Sequence, residues 1–261
     1  MHVHPDGDFA RRELHLPNGK TEAWIVLDVD EGAEGAAWLG FRENVEESTL
    51  ADWYDSQDSR AMLAAMNRAS LRAGDVLFVP AGTPHSIAAD SLILELQEPA
   101  DLSVILEYAP FERLEREDSV LDLEVTTASR AVNRAALRAE DLAAYVGRIP
   151  SDGTGDLLPP QARPFLQAEW IVVRPMADLR LASQFSVIVV TSGLGELEWD
   201  RGVLPICAGD TVLVPFEVGN TRLSGDLSLV RCKPPARMRS AEYRPGDPLR
   251  NGLIPNGTSR N

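Results

Sequence analysis

The sequence predicts an all-β protein with a helical insertion, organised as two β-rich lobes. Three observations carry that prediction. Short runs rich in β-branched and aromatic residues recur between turn formers, at intervals of about ten residues. One stretch of helical spacing interrupts the first lobe. A strand-turn-strand pattern occurs twice, as LRAGDVLFVPAG at 71–82 and PICAGDTVLVPF at 205–216, which suggests a duplicated unit.

In chain order, AWIVLDV (23–29) and AAWLGF (36–41) read as strands separated by the turn-forming DEGAEG. From about 45 to 67 the pattern turns helical: Leu50, Trp53 and Tyr54 share one face, and Met62, Leu63 and Met66 repeat the spacing. After the Gly74-Asp75 turn come short β runs in VLFVPAGTPHSIAADSLILELQE, divided at Pro80-Ala81-Gly82 and Ala89-Asp90. LSVILEY (102–108) closes a first lobe assigned to 1–111. Residues 112–167 read as a linker, with a helix at 137–146 and a Gly/Pro-rich connector from Pro150 to Pro164. A second lobe spans 168–236, with FSVIVVTSGLGELEW, VLPICAGDTVLVPF and LSLVRC as its strands. The tail at 237–261, rich in Arg, Pro, Gly and Asn, is expected to be poorly ordered.

A chain of 261 residues can bury roughly 70–75% of its unfolded surface. A formal charge of −15 argues against nucleic acid or an anionic membrane as partner, since both require a positive field. No apolar run approaches the ~20 residues that span a bilayer, and the opening residues lack a signal-peptide pattern. The cytoplasm is therefore the expected location. Cys207 and Cys232 are far apart, form no CxxC motif and are expected to be core residues. Only Lys20 and Lys233 among 25 basic residues are lysines, so each invites a reason.

The four histidines, 2, 4, 15 and 85, all lie in the first lobe. His2 and His4, two apart in an extended segment, point to one face, where two imidazoles can converge on one ion. Taken alone, such a pair near a chain end reads equally as a solvated pair or a fragment of a tag. Glu22 and His85 complete a metal set if their strands face the same interior. Imidazole with carboxylate suits zinc, and also iron, manganese or cobalt. His15, in ELHLPNG, reads as a surface residue.

The first 111 residues resemble the metal-binding half of type I mannose-6-phosphate isomerases. Five blocks carry the resemblance in order: HVHPDGDFA (2–10), GKTEAWIVLD (19–28), LGF (39–41), GDVLFVPAGTPHSI (74–87) and LILELQEPAD (92–101). The resemblance implies a fold of two cupin-type (jelly-roll) lobes, the first incomplete at its N-terminus because family members carry further barrel strands before the His-Pro-Asp block. It implies zinc, or another divalent metal, held by His2 (at a variable position), His4, Glu22 and His85. The second lobe resembles the family's metal-free half. The implied activity interconverts mannose 6-phosphate and fructose 6-phosphate, with proton transfer through an enediol and a phosphorylated hexose as substrate.

Lys20, two residues before Glu22 on an extended run, should share the metal-facing side and hold a sugar oxygen or phosphate. Glu95 matches a family carboxylate proposed for acid/base work; a group that orients a ligand is the plainer reading. Alternation puts Glu95 and Gln97 on one face, Leu94 and Leu96 on the other. The sequence departs from the family at Ile105, where an arginine implicated in catalysis is usual. Arg11, Arg12 and Arg42 are substitutes by sequence proximity. Two other functions follow if the arginine matters: a metal-bearing sugar-binding or regulatory cupin without turnover, or a metal-dependent oxygenase.

Overall fold

The computed structural model describes residues 1–151, 153–179 and 184–235 and contains three antiparallel sheets. A five-stranded sheet runs in the order Met66–Ser70, Ala36–Phe41, His85–Ile87, His2–Val3, Val104–Ile105. A four-stranded sheet runs Ser91–Gln97, Glu22–Val29, Asp75–Val79, Val146–Arg148. These two sheets face each other across Trp24, Val26, Ala37, Leu39, Leu71, Leu77 and Val79, and together make the first lobe. They form an open sandwich and not a closed barrel. Their outer strands, Ser91–Gln97 and Val104–Ile105 among them, each pair on one side only.

Alternation along the central strand Glu22–Val29 assigns its faces. Trp24 and Val26 enter the first-lobe core, while Ile25 and Leu27 turn outward with Val76, Leu94 and Leu96. This outer face packs on Ala168, Trp170, Val230 and Cys232 of the second lobe. That lobe is a seven-stranded sheet ordered Gly155–Asp156, Gln167–Val173, Thr221–Lys233, Ser186–Trp199, Gly202–Cys207. Met176–Leu179 adds to Thr221–Lys233, and Thr211–Val214 to Ser186–Trp199.

The helical insertion consists of Glu47–Ser56 and Ser59–Ala64. Leu50, Tyr54 and Met62 bury the predicted face against Val3, Phe41 and Val104, covering the outside of the five-stranded sheet. Met66, expected in the helix, instead opens a strand paired with Phe41. Gln57 stops the first helix in a left-handed conformation, and its side chain bonds the backbone of Tyr54, Leu106, Tyr108 and Ala109. The helix expected at 137–146 is shorter, Ala139–Leu142, because Val146 is drawn into a strand opposite Leu77. Cys207 corrects its expectation too: it is exposed at a strand end, while Cys232 is half-buried between the lobes. His15 is exposed, as expected. The tail expected to be poorly ordered, 237–261, lies outside the described residues.

Candidate metal centre

Two loops bring the histidine pair to the carboxylate strand. Asp6 caps the short helix Gly7–Phe9, accepting from the backbone of Asp8 and Phe9, and buried Phe9 anchors that turn. The Pro5-Asp6-Gly7 turn then lies directly on Gly19-Lys20, with the Lys20 amide bonded to the Pro5 carbonyl at 3.0 Å. Only glycine fits there: a Cβ on Gly19 would sit 2.6 Å from both the Asp6 carbonyl carbon and the Gly7 nitrogen. The approach places His4 beside Lys20 and Glu22.

His2 sits between its strand neighbours, directly opposite His85 on one side and Ile105 on the other. Opposed residues of antiparallel strands share a face, so His85, His2 and Ile105 form one row. The ring centroids of His2, His4 and His85 are 4.3–5.2 Å apart. Their nitrogens offer a set of donors within 4.8 Å of one another.

Hydrogen bonds fix which ring nitrogen faces inward. His4 Nδ1 donates to the Leu102 carbonyl at 2.7 Å, with Ser103 Oγ at 3.1 Å, leaving Nε2 as the inward lone pair. His85 Nδ1 donates to the Thr83 carbonyl at 2.8 Å, and its Nε2 is buried without a hydrogen-bond partner. Glu22, 1% exposed, meets both rings: Oε2 lies 3.1 Å from His4 Nε2 and Oε1 lies 3.2 Å from His85 Nε2. The His85 lone pair thus faces a carboxylate oxygen, an arrangement that only a proton or a cation reconciles.

Burial withholds the proton. It lowers His2 to about 4, helped by the fields of His4 and the terminal amine. Burial and the neighbouring His2 likewise push His85 well below its ordinary value. Burial alone would raise Glu22, but its polar partners, His4, His85 and the Lys20 ammonium, favour the carboxylate and hold it well below its ordinary value. Neutral His2 and His85 beside an ionised carboxylate, with the His4 and His85 rings each held from behind by a carbonyl, make a ligand-ready divalent site. The donor set fits a metal ion.

Lys20 is 6% exposed and directs its ammonium to three acceptors: Glu22 Oε2 at 2.7 Å, His4 Nε2 at 3.0 Å and Glu95 Oε1 at 3.1 Å. Glu95 stands at the mouth, its side chain 34% exposed. Burial and the nearby Glu22 raise its pKa against the pull of Lys20.

All six residues singled out from the sequence, His2, His4, Lys20, Glu22, His85 and Glu95, therefore converge. The arginines do not: Arg11 pairs with Asp8, Arg42 bonds the Ala64 carbonyl and Arg12 is exposed. Sequence reading missed Trp24, whose ring is T-shaped to His85 at 5.6 Å. Alternation from Glu22 was the available signal. The supporting carbonyls of Leu102 and Thr83 leave no trace in residue type.

No family model matches the chain. YvyI of Bacillus subtilis (strain 168), a candidate mannose-6-phosphate isomerase, is 26% identical over 233 residues, covering 87% of this chain and 68% of that protein. Mannose-6-phosphate isomerase ManA of the same organism is 24% identical over 225 residues, covering 86% of this chain and 68% of its own length. Among solved structures, a mannose 6-phosphate isomerase from Bacillus subtilis superposes with a TM-score of 0.67 at 21% identity, covering 88% of this chain and 70% of that one.

Proposed function

We propose that the chain is a cupin of the mannose-6-phosphate isomerase family, an isomerase-like enzyme of sugar phosphates, and that it interconverts mannose 6-phosphate and fructose 6-phosphate with zinc at the His2, His4, Glu22, His85 centre. The observation that supports this reading is the convergence of the ligand-ready donor set with the Lys20–Glu95 pair. A divalent ion held there supplies Lewis-acid polarisation of the sugar oxygens.

The chain's own groups do the rest. Glu95 is the base that takes the C2 proton and returns it to C1, and its raised pKa brings it nearer to neutral working pH. Lys20 holds a sugar oxygen with an N–H that now bridges the two carboxylates, and its charge offsets the developing enediolate. Burial of Glu22, His4 and His85 excludes water from the deep end, where charge interactions are strongest. We assign the enzyme to the cytoplasm.

Zinc-loaded protein should interconvert the two hexose phosphates and lose turnover on His85→Ala. A zinc-loaded wild type without turnover would refute the assignment. A second reading, metal-dependent sugar binding without turnover, draws on Ile105, whose aliphatic side chain shares the inward row with His2. Under that reading calorimetry with mannose 6-phosphate shows zinc-dependent binding while the assay stays silent, and Ile105→Arg restores measurable turnover.

A further inference from the structure

Two buried polar atoms at the deep end of the centre have no hydrogen-bond partner: the Nε2 lone pair of His85 and the indole N–H of Trp24. Their rings are in T-shaped contact, with centroids 5.6 Å apart and planes at 72°. Trp24 is 2% exposed, follows Glu22 by two residues in the same strand and stands directly opposite Glu95. It therefore shares the face that carries both carboxylates. The other buried members of its core cluster, Val26, Ala37, Leu39, Leu71, Leu77 and Val79, have apolar side chains and offer no side-chain acceptor. The lone pair can accept and the N–H can donate, but the two do not bond each other in the T-shaped arrangement of their rings.

A buried donor left unmade is a standing cost to the fold, and it is removed when an oxygen arrives. We propose that the Trp24 indole N–H is a binding group of the centre, donating a hydrogen bond to an oxygen of whatever ligand enters: a water that accompanies the metal, or a hydroxyl of the sugar phosphate. The sugar part rests on the function proposed above; the water part does not. Trp24 thereby joins His85, Glu22 and Glu95 as a polar group on the face that lines the site.

The test uses the full chain labelled with 15N-tryptophan, whose five indole resonances report directly on the N–H. The Trp24 signal is identified in the wild type by its nuclear Overhauser contact to the His85 ring. Zinc is added first, then a hexitol 6-phosphate, which binds like a sugar phosphate but cannot isomerise. The proposal expects the Trp24 resonance to move downfield with one addition or both. Trp24→Phe, which keeps a buried ring, should bind the hexitol phosphate about fivefold to tenfold more weakly. Its zinc affinity by chelator competition should stay within twofold of wild type.

A resonance that ignores both additions overturns the proposal, as does one that moves only with the hexitol phosphate while Trp24→Phe keeps full hexitol phosphate affinity. A loss of zinc affinity in that variant would make the residue a wall for His85 and also overturn it. If zinc moves the signal and the hexitol phosphate fails to bind, the isomerase reading falls and the donor assignment stands. If the variant does not fold, the wild-type resonance decides alone.

Discussion

Gly74 and Gly209 occupy the same place in the two lobes. The Gly74 amide bonds the Val26 carbonyl at 2.8 Å and the Gly209 amide bonds the Val190 carbonyl at 2.9 Å, with φ of 88° and 94°. The next residue repeats as well: Asp75 accepts from the Arg72 amide, Asp210 from the Cys207 amide. Register then equates the strands. Glu22 lies opposite Val79 as Ser186 lies opposite Val214, and Trp24 lies opposite Glu95 as Ile188 lies opposite Arg231. One framework carries two interiors. In the first, the equivalent positions hold a carboxylate, an indole and a second carboxylate; in the second, a hydroxyl, an aliphatic chain and a guanidinium. The strand-turn-strand unit therefore specifies the fold, and the inward residues specify whether a cation is welcome.

Four experiments probe the difference between the lobes. The largest effect is expected at the paired positions Glu95 and Arg231. Glu95→Gln removes the proposed base and should lower kcat by about a hundredfold or more, with KM little changed. Arg231→Gln should leave kcat within twofold and show itself in Tm, because Arg231 is buried beside Glu169. Equal kinetic losses in both variants would mean the lobes share one catalytic surface.

Acid should loosen the first lobe before the second. His2 and His85 are held neutral below their ordinary pKa, so the unfolded chain binds protons that the folded chain refuses. Stability contributed by His2 is thus lost as pH falls from about 6.5 to about 4. Glu22, lowered from 4.5, adds a loss in the same direction below that value. For chelator-treated protein, the summed penalty is of the order of a few kcal/mol. Hydrogen-exchange protection, corrected for the intrinsic pH dependence of exchange, should fall between pH 7 and pH 5 in Glu22–Val29 and His85–Ile87. Ser186–Trp199, in a lobe without histidine, should change little.

The turn glycines should differ by their surroundings. Gly19→Ala forces a Cβ into the backbone of Asp6 and Gly7, and is expected to cost about 2–4 kcal/mol and weaken metal binding. Gly209→Ala meets nothing within 4 Å, so only its positive φ opposes the change, at about 1 kcal/mol. Denaturant titration of both variants, with zinc uptake measured alongside, checks the pair. The smallest effect is expected for His15→Ala: the exposed ring should leave stability within ±0.5 kcal/mol and zinc uptake unchanged.

Much of this organisation could be read from the residues. Both repeats of A-G-D-x-(V/L)-(L/F)-V-P identified the shared turn, and alternation put Glu95 on the side away from Leu94 and Leu96, where the structure has it. The six site residues came from motif blocks together with the chemistry of imidazole and carboxylate. Other features depended on long-range packing that no local pattern reports. Val146 left its expected helix because Leu77 offered a strand partner. Met66 left its helix for Phe41 in the same way. The His4 ring is oriented by the backbone of Leu102, almost a hundred residues away in sequence, and a carbonyl is common to every residue type. Trp24 was hidden for another reason: a tryptophan in a strand reads as core until its N–H is seen to lack an acceptor.

We propose that the first lobe, and not the second, holds one divalent ion through His2, His4, Glu22 and His85. Equilibrium dialysis against zinc, with metal quantified by mass spectrometry, tests it on wild type, Glu22→Ala and Ser186→Ala proteins side by side. The account predicts one zinc per chain in the wild type and in Ser186→Ala, and its loss or marked weakening in Glu22→Ala. A wild-type chain that takes up no zinc, or a Glu22→Ala chain that retains it with undiminished affinity, would contradict it.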